Sequence, residues 1–284
     1  MSEQKERIDV LLVEQGFFES REKAKAAIMA GIVFNKDGER QEKAGSKIPR
    51  STELRVKGQL HPYVGRGGLK LEKALRYFEI DMNGRVMLDI GASTGGFTDC
   101  ALQHGASYVY AIDVGYNQLD WSLRNHERVD VMERTNFRYT TPADLKGPRP
   151  NMASIDVSFI SLKIILPPLI ELLEEPAQVV ALIKPQFEAG REKVGKSGVV
   201  REPKVHEEVL TSILTYAAGL GFKLQGLTFS PITGGEGNIE FLACWEWKRP
   251  SDVQGEAEPL DAARIAAVVQ EAANTFTGNS STKG

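Results

Sequence analysis

Residues 86–96, Val-Met-Leu-Asp-Ile-Gly-Ala-Ser-Thr-Gly-Gly, carry an apolar strand straight into a glycine-rich turn. A second strand-like run, Tyr108-Val-Tyr-Ala-Ile, ends on Asp113. A strand, a glycine turn opening a helix, and a carboxylate about twenty residues on form the frame of a nucleotide-type site in an open α/β sheet. The turn lets a ligand approach bare backbone, and the carboxylate can accept hydrogen bonds from ribose hydroxyls.

The glycine spacing narrows the ligand. A dinucleotide fingerprint, G-x-G-x-x-G, needs its second glycine where the pyrophosphate meets the main chain. Ser93 stands there, with a Cβ and a hydroxyl where the phosphate needs room. No Gly-Lys-Ser/Thr closes the turn, so it is not a phosphate-binding Walker loop. An adenosine-bearing ligand without phosphate fits better, and S-adenosylmethionine is the common one. The expected cofactor contacts are Asp89, Gly91, Ala92, Ser93, Gly95 and Gly96, with Asp113 and Asn136 further on.

Around this turn the pattern alternates. Strand candidates are 86–90, 108–113, 129–132, 152–157 and 178–183, with helices near 96–104, 117–125 and 161–173 between them. That alternation predicts a mostly parallel sheet with helices on both faces. After a helix over 203–219, β-rich runs 222–230 and 239–247 are close enough to form a terminal antiparallel hairpin. Residues 185–202, with Gly190, Gly195, Gly198 and several charges, read as a mobile loop over the sheet's C-terminal edge.

The front of the chain is different. Ile8, Leu11 and Leu12 follow helical spacing up to Gly16, and Ser20 caps a second helix that runs to Gly31. Ile32–Phe34 and Glu53–Lys57 read as strands, with a turn at Asn35–Gly38. Residues 1–76 hold 16 basic against 11 acidic side chains, whereas residues 77–250 hold 17 against 22. A basic front end on an acidic body is the asymmetry expected when one module touches phosphate. The expected boundaries are a small α+β domain over 5–60, a linker over 61–68, the main domain over 69–249, and an unassigned polar tail over 250–284.

No run approaches the roughly 20 apolar residues needed to span a bilayer. The N-terminus is charged and has no apolar signal core, so a cytoplasmic protein without membrane attachment is expected. Cys100 and Cys244 suggest no disulfide framework, and the four histidines show no metal-ligand spacing, so no metal is expected.

The front module resembles the S4 RNA-binding domain through Arg7-Ile-Asp-Val-Leu-Leu, Ser20-Arg-Glu-Lys-Ala-Lys-Ala-Ala-Ile and Gly31-Ile-Val-Phe-Asn. Arg7, Arg21, Lys23 and Lys25 lie at the starts of its two helices and, with Arg66, are the expected RNA contacts. Over residues 5–248 the chain resembles the TlyA family, through Tyr63-Val-Gly-Arg-Gly-Gly-Leu-Lys, Asp89-Ile-Gly-Ala-Ser-Thr-Gly-Gly-Phe-Thr, Asp156-Val-Ser-Phe-Ile-Ser-Leu, Lys184-Pro-Gln-Phe-Glu and Gly237-Asn-Ile-Glu-Phe.

That resemblance implies a Rossmann-like class I methyltransferase sheet behind an S4-like domain. It also implies S-adenosylmethionine as cofactor, ribosomal RNA or a ribosomal subunit as partner, and methylation of the ribose 2′-hydroxyl of cytidine. It places a Lys-Asp-Lys-Glu tetrad on Lys70, Asp156, Lys184 and Glu240. Asp156, Lys184 and Glu240 each lie on or at the end of an apolar run, where a charge is costly unless paired or functional. Lys184 is the expected base, oriented by Asp156, with Lys70 and Glu240 holding the ribose and the charge balance. The competing readings are a membrane-active haemolysin, a name borne in this family, an RNA-binding ribosome assembly factor with a vestigial site, and a methyltransferase acting on a base or small molecule.

Overall fold

A computed structural model describes residues 4–41, 43–57, 61–248 and 261–277. The chain divides into two compact units, Met1–Gly68 and Leu69–Gly284.

In the first unit, β1 (Lys5–Arg7) leads into α1 (Ile8–Glu14) and α2 (Arg21–Met29), followed by β2 (Val33–Asn35), β3 (Lys47–Pro49) and β4 (Leu54–Val56). Ser20 caps α2, its Oγ accepting from Lys23 N at 3.3 Å. Helical spacing brings Ile8, Leu11 and Leu12 of α1 into one core with Ala24, Ala27 and Ile28 of α2, closed by Val33 and Leu54. The alanines let the two helices approach closely. β2 pairs with β4, and β1 with β3, both antiparallel. β1 and β3 escape the sequence reading because three residues are too few to show an alternation. Residues 61–68, expected as a linker, belong to this unit. The Tyr63 ring is buried and packs so closely on Gly68 that a Cβ there would lie 2.4 Å from it.

The second unit opens with α3 (Gly68–Tyr77) and then alternates β5 (Val86–Ile90), α4 (Gly96–Gln103), β6 (Tyr108–Ile112), α5 (Trp121–Arg124), β7 (Val129–Met132), β8 (Met152–Ile155), α6 (Leu162–Leu172), β9 (Ala177–Ile183), α7 (Pro185–Glu188), α8 (Pro203–Gly219), β10 (Phe222–Phe229), β11 (Phe241–Trp247) and α9 (Ala262–Thr277). The seven strands lie in the order β10-β11-β9-β8-β5-β6-β7. β5, β6, β7, β8 and β9 pair in parallel, whereas β11 runs antiparallel to both β9 and β10. β5 and β8 are buried along their whole length, as expected for central strands covered on both faces. The chain reverses its direction of travel across the sheet between β5 and β8, and ligands bind in the crevice at the carboxyl ends of strands at such a point.

Three segments differ from the sequence expectation. The helix expected over 117–125 is only α5, because Glu133 takes the N–H groups of Asn117, Gln118 and Leu119 at 2.8, 3.0 and 3.3 Å, and Asn117 sits at φ +56. The loop expected to be mobile over 185–202 is pinned. Val199 and Val200 are buried, Val200 N donates to Asn238 Oδ1 at 3.1 Å, Asn238 Nδ2 donates to Gly198 O at 2.9 Å, and His206 Nε2 donates to Val200 O at 3.1 Å. Finally, part of the supposed polar tail is structural. α9 buries Ile265, Val268, Val269 and Ala272 in the main core, and its Phe276 meets Phe229 of β10 edge-on. Each buried Ile or Val contributes roughly 1.5–3 kcal/mol of transfer free energy, enough to hold a helix that would be marginal alone.

Candidate active site

The turn after β5 depends on two glycines. Gly91 adopts φ +88, and a Cβ there would lie 2.6 Å from the carbonyl oxygen of Asp156. The glycine turn and the end of β8 are therefore in direct backbone contact, reinforced by Asp156 N donating to Ile90 O at 3.0 Å. Gly95, at φ +95, opens α4 where a Cβ would strike Leu123 at 2.3 Å. Between them Ser93 is exposed and holds φ +50, unusual for a residue with a side chain. Asp113 supports this conformation: its Oδ2 accepts from Ser93 N at 2.8 Å and its Oδ1 from Gly115 N at 2.7 Å. Each carboxylate oxygen keeps a lone pair for a further donor.

The other expected cofactor residues lie at, beside or behind this turn. Ala92 and Gly96 are buried in it, and Asn136 caps a 3-10 turn whose preceding residue, Thr135, donates from N to Asp113 O at 3.0 Å. Asp89 is oriented otherwise. Its fully buried carboxylate accepts from Thr98 Oγ1 at 2.6 Å and Ser154 Oγ at 3.0 Å, so it braces α4 and β8 from behind the turn. Burial, only partly offset by those two hydroxyls, pushes its carboxyl up to about 7.

The four charged residues singled out by motif converge on the other side of Asp156. Lys70 comes from α3, Asp156 follows β8, Lys184 follows β9, and Glu240 immediately precedes β11. Lys184 Nζ lies 2.5 Å from Asp156 Oδ1, Lys70 Nζ 3.2 Å from Asp156 Oδ2, and Lys70 Nζ 2.7 Å from Glu240 Oε2. The order is thus Lys184–Asp156–Lys70–Glu240, alternating in sign and neutral in sum. Lys70, Lys184 and Glu240 are buried. Gly234 makes room for this chain, since a Cβ there would sit 2.2 Å from Glu240 Oε1.

At Lys70 and Asp156 burial opposes the charge, and the partners win. Burial pulls the Lys70 ammonium down, but Asp156 and Glu240 together hold it above its usual range. Asp156 is pushed up by burial and held below the usual carboxylate range by Lys70 and Lys184. The two lysines are not equivalent. Lys70 contacts two carboxylates, whereas Lys184 contacts one carboxylate and the Ser158 hydroxyl at 3.2 Å. Lys184 gives up less ion pairing on releasing a proton, which suits it to general-base work and suits Lys70 to holding charge.

Sequence reading missed Phe159. This ring is 90% exposed, its backbone sits at φ +64, and it lies against Phe187 with centroids 4.9 Å apart. It follows Ser158 directly, so an aromatic face projects beside the lysine–carboxylate chain. The only sequence signal is the apolar pair Phe159-Ile160 between two serines in the Asp156 motif, and exposure is not visible there.

In the first unit, three of the five expected RNA contacts are paired with carboxylates. Arg7 donates to Asp9 from Nε at 2.9 Å and from Nη2 at 3.0 Å, and Arg21 Nη2 donates to Asp9 Oδ2 at 3.0 Å. Asp9 is fully buried, and the Arg7 hydrogen bonds chiefly lower its pKa to about 2. Lys23 pairs with Glu19, Lys25 is half-buried and Arg66 is exposed.

Residues 63–247 match the model of the FtsJ-like methyltransferase family. The chain belongs to that family, in its TlyA branch. A Bacillus subtilis (strain 168) protein provisionally named rRNA methyltransferase YqxC is 58% identical over 97% of both chains. The 16S/23S rRNA (cytidine-2′-O)-methyltransferase TlyA of Mycobacterium tuberculosis (strain ATCC 25618 / H37Rv) is 43% identical over 83% of this chain and 88% of its own. A solved Streptococcus thermophilus structure with a provisional hemolysin name is 52% identical, covers 98% of this chain and 99% of its own, and superposes with a TM-score of 0.76. No helix among the described residues of this TlyA-branch protein is long and apolar enough to cross a membrane.

Proposed function

We propose that this protein methylates the ribose 2′-hydroxyl of a cytidine in ribosomal RNA, with S-adenosylmethionine as donor. The observation that carries this reading is the buried, sign-alternating chain Lys184–Asp156–Lys70–Glu240 abutting the glycine turn through the backbone of Asp156. The turn suits the donor: Gly91 packs on the backbone of Asp156, Ser93 stands where a dinucleotide fingerprint has its second glycine, and Asp113 retains acceptor capacity for ribose hydroxyls. When bound there, S-adenosylmethionine supplies an electrophilic methyl group.

The chain's own residues then do three things. Lys184, once its ammonium has released a proton to solvent, takes the proton of the 2′-hydroxyl as the 2′-oxygen bonds to the methyl carbon, with Asp156 and Ser158 fixing the direction of its Nζ. Lys70 stays charged between two carboxylates and keeps Asp156 and Glu240 from repelling each other. The exposed Phe159 ring offers a stacking surface for an unpaired base, which holds its ribose near Lys184. The first unit serves as the RNA-holding, S4-like module through the outward N–H groups of Arg7 and Arg21 and through Arg66. A ribosomal RNA substrate places the protein in the cytoplasm.

The decisive experiment supplies purified protein and labelled S-adenosylmethionine to ribosomal RNA from a strain lacking this protein. Nuclease digestion and mass spectrometry should recover 2′-O-methylcytidine. Label on a base, or no label, defeats the reading. The hemolysin names of some relatives make a separate forecast, dye release from liposomes by the pure protein, and the ribose methyltransferase reading forecasts none.

A further inference from the structure

Two segments carry the reacting lysine and its carboxylate: residues 156–161 after β8 and residues 184–188 after β9. They are tied together along their length. Lys184 meets Asp156 and Ser158 at one end, and Phe187 meets Phe159 in the middle. At the far end, Glu188 Oε1 accepts from Leu162 N at 2.8 Å and Glu188 Oε2 accepts from Ser161 Oγ at 2.5 Å.

We infer that Glu188 is a positioning residue for methyl transfer, its carboxylate locking residues 157–161 in the loop form that points Phe159 outward and Ser158 at Lys184. This inference rests on the function proposed above. The loop needs such a lock, because Phe159 holds a left-handed φ that a side chain disfavours, and such a residue persists only where its surroundings fix it. The bonds Glu188 makes are suited to that task. Leu162 is the first residue of α6, so its N–H lacks an intrahelical acceptor, and a carboxylate there also meets the positive end of the helix. Ser161 Oγ donates to Glu188 while accepting from Lys163 N at 3.1 Å, so one carboxylate fixes both the cap and the first turn. Burial pushes the Glu188 carboxyl up despite these bonds, and a glutamine keeps an oxygen that can accept from Leu162 N.

The test compares wild type, Glu188→Ala, Glu188→Gln and Ser161→Ala on ribosomal RNA. The alanine variant at 188 should lower kcat by about 10- to 100-fold, as expected when a reacting group is displaced by up to an ångström. Calorimetry should show its affinity for S-adenosylmethionine unchanged, because the glycine turn is untouched. Glutamine should restore most of kcat, since its amide can still accept from Leu162 N. A Glu188→Ala variant with wild-type kcat overturns the inference, as does a loss of cofactor affinity as large as the loss of kcat. Should that variant fail to fold, Ser161→Ala decides: a several-fold fall in kcat supports the inference and an unchanged kcat overturns it. Wild type inactive on ribosomal RNA defeats the proposed function, and this inference with it. Wild type active and matched by the alanine variant defeats this inference alone.

Discussion

Each unit of this molecule contains a carboxylate held between two cations, and the two arrangements differ in where the cations end. In the first unit Asp9 is buried, while the Arg7 and Arg21 side chains are 38% and 49% exposed. In the second unit Lys70 and Lys184 are themselves 7% and 8% exposed around Asp156. Burying the cations strengthens each Coulomb interaction, couples the titrations, and demands a second carboxylate, Glu240, to balance the charge. Leaving the arginines at the surface satisfies Asp9 yet keeps several N–H donors of each guanidinium for an outside anion. The cation types follow the same division. Arginine cannot shed its proton in a protein but grips phosphate with a planar fork, whereas lysine can act as a base when buried. On the proposed function, one cluster holds an anion and the other moves a proton.

The largest test of this division is Lys184→Ala. Single-turnover methyl transfer should fall by at least about 100-fold, the range of general-base catalysis, with S-adenosylmethionine affinity retained. Arg21→Ala, measured the same way at saturating RNA, should transfer methyl at the wild-type rate. If both variants lose chemistry equally, the division is wrong. Next in size is Gly234→Ala, whose Cβ would meet the Glu240 carboxylate at 2.2 Å and force it off Lys70. Its turnover should fall by about tenfold or more, because outward movement of Glu240 disturbs Lys70 and through it Asp156. Steady-state kinetics with a circular-dichroism control for folding would check this, and wild-type turnover would show that Glu240 has slack.

The difference between the clusters also explains what could be read from sequence. Lys70, Asp156, Lys184 and Glu240 stand in motifs, the last three on or at the ends of apolar runs where an isolated charge is hard to accommodate, and the structure draws all four into one chain. The strands 86–90 and 129–132 were legible from apolar runs bounded by turn residues, with the same limits in the structure. Asp9 was not legible as a buried group. It reads as a first-turn acid on α1, and its burial depends on Arg21, twelve residues away on another helix. The segment after Lys184 looked mobile because it is rich in glycine and charge, yet its anchors, Asn238 and His206, lie on later elements. α9 was hidden for a similar reason: small alanines give little apolar contrast until Phe229 and the α8 core supply a surface.

The surface cluster yields a smaller effect. Arg21→Ala should weaken RNA binding and lower the slope of log affinity against log salt by about one, as removal of a single phosphate contact does. The double substitution of Arg7 and Arg21 would strand the Asp9 carboxylate without either partner and so confound affinity with folding. Asp9→Asn probes the structural side alone. With Asp9 held at about 2 against 3.8 when unpaired, its contribution to stability is complete above about pH 4 and is lost as pH falls toward about 2. The asparagine variant should lose about 2 kcal/mol at neutral pH, the scale of hydrogen bonds to a charged group. Denaturant unfolding at pH 7 and pH 3 would check this, with the gap between variant and wild type narrowing at the lower pH.

The last comparison separates Asp89 from both clusters. Its carboxylate has no cation partner among the described residues, and its hydroxyl partners leave burial dominant, so it sits at about 7 where Asp9 sits at about 2. The sign of its pH dependence is therefore opposite. Between about pH 4 and pH 7 the folded protein keeps a proton that the unfolded chain has released, so stability falls as pH rises through that window and levels off above it. Asp89→Asn removes this titration while leaving an amide that the Thr98 and Ser154 hydroxyls can meet. Melting temperatures at pH 5 and pH 8 should show the variant gaining on wild type at the higher pH, with cofactor affinity kept because the group faces away from the turn. Parallel melting curves would mean that Asp89 is ionised throughout. A collapse of cofactor binding would mean instead that this carboxylate, and not only Asp113, serves the donor directly.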